Sequence, residues 1–191
     1  MGAVRLLRTL APLVLVASLA AACGNGSSSG SGGDSTILGP SSGFEARTVF
    51  ARYAPGVPFG PQLPKALVDE MSSQACPMKA KVVSGYLMEC DAGKTVYLLK
   101  NPIVTGDVAS ATPLQIGHKN IWYVEVKLDP TVSQKLSSQI GSMTGEQLAF
   151  TYGGSVLTSI AIDSSFHPDH FAITGDYTEA TAKQLASELT A

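Results

Sequence analysis

The sequence predicts an α+β domain in two layers, an antiparallel sheet with helices packed on one face. Three observations carry this. Residues 147–152 and 156–162 are β-prone runs on either side of Gly153-Gly154, the dipeptide that permits the positive φ angles of a two-residue hairpin turn. Residues 121–128 alternate, with Trp122, Val124, Val126 and Leu128 on one face and Tyr123, Glu125 and Lys127 on the other, as in a sheet with one wet face. Two helical segments carry start signals. Asp129-Pro130 precedes Val132, Leu136 and Ile140, and Thr178, with Asp176 as an alternative cap, precedes Ala182, Leu185, Ala186 and Leu189. The helices starting near Pro130 and Glu179 are expected on the same side of the sheet.

The chain has 191 residues, enough for one domain, and a formal net charge of −2. Few charges and no basic cluster disfavour nucleic-acid binding. Residues 1–22 read as a signal peptide. Arg5 and Arg8 form its basic region, and an apolar run too short to span a bilayer follows. Ala20-Ala21-Ala22-Cys23 comes next. Small residues directly before a cysteine resemble a bacterial lipobox, although Ala20 stands where Leu is usual. Lipidation of Cys23 is expected; the alternative is an ordinary signal peptide cleaved after an A-x-A site. Losing residues 1–22 removes two arginines and no acid, leaving a net charge of −4 and no attraction to anionic lipid. Residues 23–43 read as the lipidated cysteine and a flexible Gly/Ser tether, and 44–191 as the folded domain. The G-x-S-x-G matches at 26–30 and 39–43 lack the strand and helix that a nucleophile elbow needs, so composition accounts for them.

Within the domain, residues 44–52 alternate as a first strand. Residues 53–64 are Pro/Gly-rich and read as a loop, and Pro64 opens a short helix whose stripe is Leu63, Leu67 and Met71. With Cys23 carrying lipid, Cys76 and Cys90 remain, and an even pair in an exported chain favours one disulfide. A catalytic thiol or a metal site is the alternative, without C-x-x-C spacing or a nearby histidine to support it. Residues 95–99 form a strand that Lys100-Asn101-Pro102 is expected to stop. Phe171 and Ile173 give another short strand, ended by Gly175.

These stretches, taken together, resemble the large periplasmic domain of the SecD family of protein-export membrane proteins. The clearest part is GEQLAFTYGGSVLTSIAI, a loop, then FAITGDYTEATAKQLASEL. The family shows there a strand ending in glycine, a strand with a small central residue, Ile-x-Gly, and an Ala-rich helix. Here these are 149–153, 159–162, Ile173-Thr174-Gly175 and 179–189. Arg47, Val49 and Phe50 echo a family Phe-Arg-Pro-Val stretch, with Thr48 where the proline stands. Residues 103–111 resemble a family stretch in which a turn leads to an alanine. Cys76, then Cys90-Asp91 and Gly93, resemble the cysteines of actinobacterial members. The resemblance implies a SecD-head-like fold over residues 44–189. The family's transmembrane helices have no counterpart in the sequence, so proton-driven work is not carried over.

No enzyme is expected. His118, His167 and His170 do not present ligand spacing, and no metal is assigned. His167 and His170 flank Pro168-Asp169 on what reads as a polar loop tip. Asp69-Glu70, and Asp163 with Asp169, are not placed as an acid/base pair, and solvated carboxylates account for them. No catalytic residue and no cofactor is assigned, and the binding residues are unassigned. Tyr123, Trp122 and the Leu/Met segments could form either an apolar binding surface or core. The leading expectation is a non-catalytic, lipid-anchored module on the outer face of the bacterial cytoplasmic membrane. It would bind unfolded secretory polypeptides or export-machinery subunits and no nucleic acid, because extended peptide can add to a sheet edge as a strand. The alternative is an envelope interaction or structural lipoprotein that reuses the fold for another partner.

Overall fold

A computed structural model describes residues 39, 43–54, 57–59, 61–117 and 120–191. The expectations for the signal peptide, Cys23, most of the tether and His118 lie outside the described residues. The architecture is α+β and antiparallel, as expected, but the strands divide between two sheets. A seven-stranded sheet runs β3 (Lys81–Val83), β4 (Tyr86–Cys90), β5 (Val96–Gly106), β1 (Phe44–Ala54), β8 (Gln147–Tyr152), β9 (Ser155–Ala161), with β2 (Val57–Phe59) added to β1, and a three-stranded sheet runs β10 (His170–Tyr177), β7 (Trp122–Leu128), β6 (Val108–Gln115).

The large sheet is built from β1 (Phe44–Ala54), β2 (Val57–Phe59), β3 (Lys81–Val83), β4 (Tyr86–Cys90), β5 (Val96–Gly106), β8 (Gln147–Tyr152) and β9 (Ser155–Ala161). Its anchor hairpin, β8–β9, turns at Gly153 and Gly154, with φ of 59° and 79°. Both values lie in the left-handed region, where only glycine sits without steric cost. The sheet curls. At its far end Asp91, just past β4, forms a parallel bridge with Val156 of β9. The curl brings Leu87, Tyr97, Leu99, Ala149 and Val156 together on one inner face.

The small sheet consists of β6 (Val108–Gln115), β7 (Trp122–Leu128) and β10 (His170–Tyr177). Alternation in β7 puts Val124, Val126 and Leu128 in the core. Stacked aromatic rings join the two sheets. Phe171 of β10 lies 4.0 Å, centroid to centroid, from Phe150 of β8, and Phe44 of β1 lies 5.6 Å from Phe150. Each such side chain contributes about 2–3 kcal/mol by leaving water.

Among the described residues, three helices complete the core. In α1 (Lys65–Ser72), Leu67 and Met71 pack on Ala51, Met88 and Leu98. In α2 (Pro130–Ile140), the Asp129 carboxylate accepts from the Thr131 N–H at 2.8 Å, as the sequence predicts for a cap. In α3 (Glu179–Leu189), Thr178 is the cap, in reciprocal bonding with Thr181. Val132 and Leu136 of α2 and Ala182, Ala186 and Leu189 of α3 enter the same core between the sheets. The helix α2 approaches β5 so closely that a Cβ on Gly106 would lie 2.3 Å from Val132 Cγ2.

Four local expectations are corrected. β5 does not stop at Lys100-Asn101-Pro102 but runs to Gly106. β4 covers only Val96 to Leu99 of it, and the β1–β5 register shifts at Arg47, opposite Pro102. The missing proline N–H is tolerated at such an irregular, singly flanked position. β2 lies in the segment read as a loop. β6 replaces the turn expected before Ala111. Gly175 does not end β10. It begins a bulge between Thr174 and Tyr177, and the strand continues.

Cys76 and Cys90 are bridged, with Cα atoms 5.9 Å apart. The bond ties the segment after α1 to the end of β4. Replacing both cysteines by alanine is expected to lower stability by about 3 kcal/mol, measured as a fall in the urea midpoint, because the loop then closes without its covalent constraint.

Candidate functional site

Two features stand out among the described residues: a polar group inside the curl and a groove along its open side. Arg47 is fully buried and lies opposite Ala149 across the β1–β8 pairing. Its Nε donates to Glu45 Oε2 at 2.6 Å, Nη1 to the Lys100 carbonyl at 3.0 Å and Nη2 to the Gly39 carbonyl at 3.1 Å. One guanidinium thus joins β1, β5 and the segment before β1. Glu89 of β4, 1% exposed, feels this charge. Its Oε2 is buried without a hydrogen-bond partner in the protein, as is Ser159 Oγ on β9. Burial pushes the Glu89 carboxyl up from 4.5 to about 7; Arg47 opposes this and Glu45 adds to it.

The groove runs along β9 and encloses roughly 480 Å³. One wall is Leu157, Thr158 and Ser159. The opposing wall is Thr174 to Tyr177 of β10, and the turn after β4 closes one end. Local chemistry shapes each wall. Asp91 accepts from the Thr95 N–H at 2.8 Å and from the Tyr97 hydroxyl at 3.0 Å, which fixes the turn. The β10 bulge turns Tyr177 back over Gly175, where a Cβ would lie 3.0 Å from its ring. Burial, then the Asp91 charge, raises the Tyr177 hydroxyl, and the same causes push Tyr97 up to about 12. A smaller recess of about 220 Å³ shares Asp91, Ala92, Leu157 and Tyr177 and extends the groove to Cys90 and Pro77.

The sequence from residue 81 to 191 matches the SecDF P1 head subdomain. The chain belongs to that family. It is also similar to a crystal structure of SecDF in a super-membrane-facing form, with 18% identity and a TM-score of 0.48, over 76% of this chain and 18% of that one. A second structure, of SecDF described as a membrane component that enhances protein export, gives 17% identity and a TM-score of 0.47, over 76% of this chain and 60% of that one. The chain therefore spans less than two thirds of either protein. No curated protein matches the sequence.

In this SecDF head domain the other residues singled out from sequence are scattered. The rings of His167 and His170 stack with centroids 5.7 Å apart, and His170 Nδ1 lies 3.1 Å from Asp169 Oδ1. That contact holds the Asp169 carboxyl below its usual range. The Asp163 carboxyl is lowered by its bonds from Ser165. Asp69 pairs with Lys65, and Glu70 with Lys81, on α1. Among the described residues no three His, Cys, Asp or Glu side chains converge on a metal position. Trp122 is half-buried against the core, whereas Ile116 and Ile121 at the β6–β7 tip are exposed. Sequence reasoning missed Glu45, Arg47 and Glu89. The available signal was Glu89 among Leu87, Met88 and Cys90, a lone acid in an apolar strand.

Glu89 makes stability depend on pH. The folded state holds its proton more tightly than the unfolded chain does. The contribution is fully present below about pH 4.5 and is lost as pH rises to about 7. Glu89→Gln should remove this slope. Urea titrations at both ends of the window should differ between parent and variant by about 3 kcal/mol.

Proposed function

We propose that the protein is a non-catalytic module that binds extended polypeptide or components of the export machinery and assists protein translocation. Membership of the SecDF P1 head family over residues 81–191 supports this reading most directly. A similar solved protein is described as enhancing protein export. Among the described residues the sheets end in strands with one unpaired edge, β3 and β9 in one and β6 and β10 in the other. Such edges offer donors and acceptors without requiring a particular side-chain sequence, which suits a binder of many unfolded chains.

The protein works at the outer face of the bacterial cytoplasmic membrane, held by lipid on Cys23. No helix among the described residues is long and apolar enough to cross a membrane; in this reading the acyl group carries the attachment. Cys23→Ala then moves the protein from the membrane to the soluble fraction.

Photocrosslinking in intact cells tests the role. Reactive residues replace Lys127 on β7 and Ala161 on β9, both exposed. Adducts with secretory precursors or export subunits are expected. Adducts confined to a cell-wall enzyme or a small-molecule transporter would overturn the reading and favour an envelope protein that reuses the fold.

A further inference from the structure

We propose that β9 is where the polypeptide binds. An extended segment adds as a strand from Leu157 to Ala161 and sets a lysine or arginine side chain against Asp91 and Asp176. The inference rests on the reading of the protein as a polypeptide binder and gives that reading a location and a preferred charge.

The sheet edges are not equivalent. β3 has three residues and begins with Lys81. β6 carries Pro113, which cannot donate to a ladder. β10 is broken by its bulge at Gly175 and Asp176. Short length, lysine, proline and bulges all discourage strand addition. β9 has seven residues and contains no proline and no charge. It pairs with β8 on one side; on the other its backbone is bridged at Val156 by Asp91, with β4 and β10 also close by. Beyond that bridge, alternate residues of β9 turn backbone N–H and C=O groups away from β8 into the groove. The Leu157 side chain and the Tyr177 ring give this space apolar walls.

Charge selects the occupant. Among the described residues Asp91 and Asp176 line the groove, and no lysine, arginine or histidine does. Asp91 already accepts two hydrogen bonds. Asp176 is exposed on the bulge and forms no ion pair among the described residues. A peptide cation beside these carboxylates meets attraction, and an anion meets repulsion.

The test uses the full chain and three short synthetic peptides. One alternates valine with lysine, one alternates valine with glutamate, and the third is the lysine peptide N-methylated at alternate amides. Fluorescence anisotropy measures affinity, and hydrogen exchange of the backbone locates the contact. The lysine peptide should bind about tenfold more tightly than the glutamate peptide at low salt, and Asp176→Lys should erase that preference. The β9 amides should exchange more slowly with peptide bound, and methylation should abolish binding because it removes the ladder donors. Binding that tolerates methylation, or that protects only β3, β6 or β10, overturns the β9 assignment and leaves the proposed function standing. Protection of β9 that grows with protein concentration, without peptide, makes a second copy of the chain the occupant and overturns it too. Failure of every peptide to bind, with either charge, overturns both.

Discussion

The interaction on which the large sheet depends is the ion pair between Arg47 and Glu45, sealed inside the curl. The guanidinium is fully buried, so its hydrogen bonds go to protein acceptors. The acceptors come from β1, from the Lys100 carbonyl on β5 and from Gly39 before β1. Few other side chains constrain so many segments at once. Removing either charge would leave the other buried and uncompensated, a larger loss than the net worth of the pair. Glu89 extends the group to β4. Its carboxyl lies near enough to the guanidinium to be favoured when charged, yet desolvation outweighs that attraction.

The curl closed around this group decides what the exterior offers. Bringing the end of β4 to β9 bridges the edge of β9 at Val156, and no other described strand pairs with that edge. The disulfide fixes the end of β4, and Asp91 fixes the following turn, so the groove has rigid walls on that side. The other wall comes from the small sheet, held against the large one by the stack of Phe44, Phe150 and Phe171. The position of β10 opposite β9 therefore depends on core packing between the two sheets.

Elements whose signals are local were legible in the sequence. Gly153-Gly154 marks its hairpin because the backbone there requires glycine, and Asp129-Pro130 and Thr178 mark helix starts because their side chains accept the first free amides. The Cys76–Cys90 bond followed from counting cysteines. Nonlocal features were misread. Pro102 looks like a strand end until the short reach of β4 is known, and Gly175 looks like a terminator although it makes room for the Tyr177 ring. Arg47 and Glu45 fit an alternating strand with a wet face, but the curl buries both faces of β1. The groove had no sequence signal beyond β9 itself, since its walls come from segments distant in the chain.

The most direct measurement of the central claim is a double-mutant cycle on the buried pair in a Glu89→Gln background, where Glu89 cannot ionise to replace a lost charge, read by urea unfolding near neutral pH. Arg47→Met and Glu45→Met should each cost about 3–5 kcal/mol, because each strands a buried charge. Together they should cost far less than the sum, because neither charge then remains. Single variants that lose less than about 1 kcal/mol, or losses that simply add, would match an exposed pair and contradict the account.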